Sequence, residues 1–158
     1  MTRIVFLRPQ AVNRTHLFDA ARALIGADEP RGPALVVAQA AVEVGMETAI
    51  DFALQLRDVN DPLREWVVDD SIRSWSPANN KRVQRLWTAL TGDTLTDAPS
   101  WAAYAEGIRW RHAFVHRAAA VPKEQAEGFV TAAEQLVAHM VGVLEKAFPP
   151  PPFVVPGE

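Results

Sequence analysis

Between Ala34 and about Arg57, apolar residues recur three or four positions apart, at Leu35, Ala38, Val42, Met46, Ala49, Ala53 and Leu56. That spacing puts them all on one side of an α-helix, whereas a strand would send them to both faces in turn. A helix with so long an apolar stripe must bury it against other elements, and helices are the economical partners when no strand pattern is available. Glu43, Glu47 and Asp51 form an acidic row on its flank. Each would be costly in lipid, so the segment reads as the buried helix of a soluble protein and not as a membrane span.

The rest of the chain repeats the helical period. "NRTHLFDAARALIG" carries Leu17, Phe18, Ala21, Leu24 and Ile25 at helical spacing, with Asn13 or Thr15 as cap and Gly26 as stop. Asp61 reads as an N-cap before Pro62, opening a helix through Leu63, Trp66 and Val67. Asn79 or Asn80 caps "KRVQRLWTALTGD", whose Val83, Leu86, Trp87 and Leu90 face inward, whose outer face carries Lys81, Arg82 and Arg85, and whose Gly92 supplies a left-handed stop. A helix from about Trp101 has Tyr104, Ile108 and Val115 as core candidates, and Pro122 ends it or starts the next. The last helix presents Ala126, Phe129, Ala133, Leu136, Met140, Val143 and Ala147 in register. The five tryptophans are assigned mainly to the core. "PPPPFVVPGE" cannot be helical and reads as a proline-rich tail over 149–158. These segments predict an all-α, antiparallel bundle of about five to six helices in one domain over 1–148.

Composition removes several function classes. Hydrophobic residues make up 49% and charged residues 22% of the 158, too apolar for intrinsic disorder. Cysteine is absent, which excludes disulfides, thiolate zinc sites and a cysteine nucleophile. Arg3 precedes only a short apolar run, well below a signal-peptide core, and a cytoplasmic location is expected. A net charge of −3 argues against nucleic-acid binding over the whole surface but leaves room for a local basic cleft.

The local cleft has a candidate. Residues 109–117 read "RWRHAFVHR", three arginines and two of the chain's four histidines in nine residues. On a helix, Arg109, His112 and His116 fall in one narrow stripe; Arg111 stands off it, but its long side chain can wrap back. An imidazole titrates near neutrality and can take or give a proton. A guanidinium stays charged and holds phosphate oxygens in a fork. Together they suit cleavage of an RNA phosphodiester by its own 2′-hydroxyl, in which negative charge builds on the phosphate oxygens. That reaction requires no metal or other cofactor.

The string Arg111, His112, Ala113, Phe114, Val115, His116 resembles the signature of HEPN domains, helical domains of prokaryotic toxins and defence systems: an Arg, usually followed by a polar residue, with a His four to six positions on. His112 stands where Asn is most familiar. The surrounding "RLWTALTGD", "WAAYAEGIRWRH" and long final helix are also similar to bacterial HEPN proteins, so the resemblance covers roughly 34–147. It implies a HEPN-type bundle and a metal-independent endoribonuclease, a hydrolase acting on RNA in a toxin–antitoxin, defence or processing role. It further implies a homodimer with a composite site at its interface and an antitoxin or regulatory protein as a further partner. By that resemblance Arg111 stabilises the phosphate, His116 acts as acid or base and His112 positions the RNA. Arg109 and Arg117, joined by Lys81, Arg82 and Arg85 if their helix lies alongside, would track the RNA backbone. Glu43 would orient Arg111 or a histidine.

Other readings of the same residues stay open at this level. Two histidines four apart also suit a metal, although the chain has no Glu-x-x-His pair to complete a dimetal site. The acidic row also reads as a solvated flank. His16 and His139 read as ordinary packing or surface residues. A non-catalytic HEPN module that dimerises and binds RNA, a nucleotide or a partner protein would carry the same nonapeptide, and so would a plain helical scaffold.

Overall fold

The computed structural model of the chain describes residues 8–26 and 31–149, with side chains from residue 15 onward. Among the described residues there are six α-helices and no strand. They are α1 (Arg8–Gly26), α2 (Gly32–Leu56), α3 (Asp61–Glu65), α4 (Lys81–Thr91), α5 (Trp101–Arg117) and α6 (Lys123–Ala147). A π-helical turn, Trp66–Ser71, continues α3, and a 3-10 turn, Leu95–Asp97, leads towards α5. The short apolar run after Arg3 and the proline-rich tail lie outside the described residues, apart from Pro149.

Helix α2 is the axis of the bundle, with α1, α4, α5 and α6 all packed against it. Leu35, Ala38, Val42, Met46, Ala49 and Ala53 are buried, and Leu56 is half-buried where the helix ends. By length and composition α2 is apolar enough to cross a membrane, but more than half of its most apolar stretch is buried inside the bundle. Its apolar stripe faces other helices. Helix α6 supplies the second long face, with Ala126, Phe129, Ala133, Leu136 and Met140 inside. A two-pronged ion pair from Arg22 to Glu134 ties α1 to α6 at the surface.

Two glycines set how closely the helices approach. A Cβ on Gly32 would overlap the ring of Phe114, and one on Gly107 would overlap the ring of Phe129. The first contact brings the start of α2 against the end of α5, and the second closes α5 onto α6. Tyr104 and Phe129 stack at 5.6 Å beside it.

Several boundaries differ from the sequence reading. Helix α1 spans Arg8–Gly26, so Asn13 and Thr15 lie within its length and not at its start. The cap before Pro62 is Asn60, whose side chain accepts the Leu63 N–H at 3.1 Å, and Asp61 is the first helical residue. Asn80 caps α4 by accepting the Arg82 N–H at 3.0 Å. Gly92 ends α4 in the left-handed region at φ 78° as expected. Trp66 is 55% exposed and Val115 45% exposed, so neither belongs to the core; Trp87 is the one fully buried tryptophan. Leu63, one turn earlier, is exposed as well, so the side of the helix that Leu63 and Trp66 share faces solvent and not the bundle. Val115 shares the angular sector of Tyr104 and Ile108, but it lies level with the starts of α2 and α6, where no neighbour covers it.

Candidate active site

The nonapeptide occupies the last two and a half turns of α5. Ala118 follows in the left-handed region at φ 49°, and its N–H bonds the Phe114 carbonyl at 2.9 Å. The Ala119 N–H also reaches the Ala113 carbonyl at 3.3 Å, so the helix closes in a left-handed cap made without glycine. It turns the chain sharply after Arg117 and towards Pro122, whose extended backbone opens α6.

His112 and His116 are both exposed, and their rings lie 4.3 Å apart at 46°. They form one imidazole pair on the helix surface, as their four-residue spacing requires. Arg111 is half-buried beside them on the helix. Its Nε is sealed from solvent and has no hydrogen-bond partner, and no ion pair joins its guanidinium to any described residue. Arg117 is exposed, and no ion pair joins it to another described residue. Arg109 is exposed too, but it is engaged by Glu106 one turn back on the same helix.

Four expected members of the site, Glu43, Lys81, Arg82 and Arg85, lie elsewhere. Helices α2 and α5 run antiparallel, and with Gly32 held at Phe114 the carboxylate of Glu43 comes to act on Tyr104. Tyr104 precedes Arg111 by seven residues, roughly 10 Å along the helix axis. Glu43 accepts a hydrogen bond from Gln39 Nε2 at 2.6 Å, and no ion pair joins it to Arg111 or to another described arginine. Burial holds the Tyr104 phenol well above its usual range; the Ser76 hydroxyl opposes it, and the Glu43 carboxylate adds a smaller push upward. Nor does α4 lie alongside the motif helix: it packs on α2 and α6 and makes no extended contact with α5. Lys81, Arg82 and Arg85 therefore do not extend the basic strip of α5. Arg82 faces a cleft formed with the π-helical turn, and Arg85 lines a separate groove with Thr88 and Thr96.

The acidic row is neither free nor uniformly solvated. Glu43, Glu47 and Asp51 are all half-buried. Asp51 meets Arg64 at 3.5 Å and accepts from Gln55 at 2.9 Å. Glu47 has its carboxyl pushed above the usual value by burial, then by Asp69 and Asp51.

A polar tie that the sequence reading passed over lies at the foot of α4. Asp93 Oδ2 accepts the Trp87 indole N–H at 2.8 Å and stands 3.0 Å from His139 Nε2 on α6. His139 is thus a packing residue with a specific partner. The only sequence signal was a lone His on an amphipathic helix, which carries no information about what it faces. Among the described residues no three His, Asp or Glu side chains converge to hold a metal ion.

No family model matches this chain, and no curated protein or solved structure is significantly similar to it.

Proposed function

We propose that the chain is a HEPN-type, metal-independent endoribonuclease that acts as a homodimer on RNA in a toxin, defence or processing role. The observation that carries the reading is Arg111: a guanidinium whose Nε is cut off from water and has no hydrogen-bond partner, with no ion pair to any described residue, next to a solvent-open imidazole pair. A buried donor without an acceptor is costly, and an incoming phosphate relieves that cost with a charge-assisted bond. The resemblance of Arg111 to His116 to the HEPN signature supplies the reaction.

In this reading a neutral imidazole takes the proton of the ribose 2′-hydroxyl, and the 2′-oxygen attacks the adjacent phosphorus. Arg111 holds the phosphate oxygens as charge accumulates on them. The bond from phosphorus to the 5′-oxygen breaks, and a protonated imidazole gives that oxygen its proton. The products are a 2′,3′-cyclic phosphate and a free 5′-hydroxyl. His116 is the acid or base, His112 positions the RNA, and the two copies of α5 in the dimer supply both protonation states.

The test is incubation of the protein, His116→Ala and Arg111→Ala with a mixed-sequence single-stranded RNA in EDTA. The expected result is fragments ending in 2′,3′-cyclic phosphate for the wild type and a loss of at least a hundredfold in rate for each variant. Binding by all three with no cleavage by any would replace the enzyme with the non-catalytic RNA-binding module.

A further inference from the structure

A second cleft, unconnected with the nonapeptide, lies between the π-helical turn and the start of α4. It encloses about 610 Å³, a volume in the range of small-molecule sites, and is lined by Trp66, Asp70, Ser71, Arg73, Asn80 and Arg82. Two of these build its frame. Asn80 uses its side chain to accept from Arg82 N and to donate to Ser74 O at 2.7 Å, and Ser71 donates to Val67 O at 2.8 Å. The other four are uncommitted. Asp70, Arg73 and Arg82 are exposed, and no ion pair joins any of them to each other or to another described residue. Opposite charges that line one cleft without meeting leave room for something between them. Trp66, more than half exposed, adds an aromatic face one π-turn from Asp70.

We propose that this cleft binds a nucleotide and selects guanine. An indole face stacks on any base. A carboxylate only accepts hydrogen bonds, and guanine alone among the common bases offers two adjacent donors on its Watson–Crick edge, N1–H and the N2 amino group. Adenine and cytosine pair one donor with one acceptor there, which Asp70 cannot satisfy fully. Arg73 and Arg82 take the phosphate, since guanidinium groups hold phosphate oxygens through paired N–H donors. The π-helical turn is what puts Trp66 and Asp70 at the same mouth. The proposal does not depend on RNA cleavage: the guanine nucleotide is either free or part of a single strand.

The experiment is calorimetric titration of the full chain with GMP, AMP, guanosine and inorganic phosphate, and with two 2′-O-methyl octanucleotides, which cannot be cut through a 2′-hydroxyl, one bearing a single G and the other A in its place. GMP is expected to bind at least about tenfold more tightly than AMP, the discrimination typical of a paired contact to a base edge. Trp66→Ala is expected to weaken GMP by about tenfold or more through lost stacking. Asp70→Asn erases the preference for GMP over AMP, and Arg82→Ala weakens GMP but not guanosine. All three positions are exposed, so the variants keep the fold. A preference for the G-bearing strand places the guanine in RNA; GMP binding with no difference between strands makes the free nucleotide the ligand. Equal binding of GMP, AMP and phosphate that is untouched by Trp66→Ala overturns the proposal in favour of plain anion attraction. No binding of any probe, with an oligomeric state that changes in Trp66→Ala, overturns it in favour of a protein interface at Trp66.

Discussion

The ring of Phe129 fills the space that a side chain on Gly107 would need. Helix α5 thereby lies closer to α6 than any other residue at 107 would allow, and the motif that begins two residues further on inherits its position from that contact. Gly107→Ala should destabilise the fold by about 1–3 kcal/mol through overpacking, read from the urea midpoint. Gly128→Ala should do the opposite. Gly128 lies within α6 with open space around its Cα, and a helix-interior Gly-to-Ala change stabilises by about 0.5–1 kcal/mol. Equal effects at the two positions would show that the close approach of α5 to α6 does not exist in solution.

Gly32 stands in the same relation to Phe114 at the other end of α5. Gly32→Ala should therefore also destabilise, by about 1–3 kcal/mol. Pairing it with Phe114→Leu should recover part of the loss, because the smaller side chain vacates the space. A double mutant whose cost is the sum of the two single costs would mean the residues are not in contact.

Arg111 predicts a conflict between stability and function. Because its Nε is buried without a partner, Arg111→Met keeps most of the packing and removes an unsatisfied donor. The variant should unfold at equal or higher temperature than the wild type, by up to about 1 kcal/mol in stability, while RNA cleavage is lost. A marked drop in Tm would indicate that Arg111 belongs to the fold and not to a site.

The contact among Trp87, Asp93 and His139 predicts an unequal pair of costs. Asp93→Ala leaves the N–H of a fully buried tryptophan unpaired and should cost about 1–3 kcal/mol. Trp87→Phe on the Asp93→Ala background should then cost less than it does in the wild type, since the orphaned donor goes with the indole. Denaturant midpoints of the four proteins give the comparison directly.

Glu47 predicts the sign of a pH effect. Partial burial, and then Asp69 and Asp51, raise its carboxyl pKa above the ordinary 4.5. The folded chain therefore keeps this proton to higher pH than the unfolded chain, so stability declines as pH rises from the ordinary Glu range through the raised value. Glu47→Gln mimics the protonated form and should melt above the wild type at pH 7. The two should converge below about pH 4, where Glu47 is protonated in both folded and unfolded chains. A constant difference in Tm across that range would dissociate the effect from ionisation.

What the sequence determined by itself was whatever depends on neighbours along the chain. The 3.6-residue period of α2, α4, α5 and α6, an Asn cap at 79 or 80, the Gly92 stop and a helix boundary at Pro122 are all local, and so is the pairing of His112 with His116, which follows from four-residue spacing on any helix. The tertiary structure decided everything that depends on which helix lies against which. Periodicity gives the direction a side chain takes around its own axis but not what stands there. Val115 points the same way as Tyr104 and yet is exposed, because α2 and α6 only begin at its level. Glu43 faces Tyr104 and not Arg111, because the antiparallel offset of α2 and α5 is set by a glycine against a ring. Arg82 joins Trp66 and Asp70, which precede it by sixteen and twelve residues, because α4 packs on α2 and α6 and leaves α5 to carry its own basic strip.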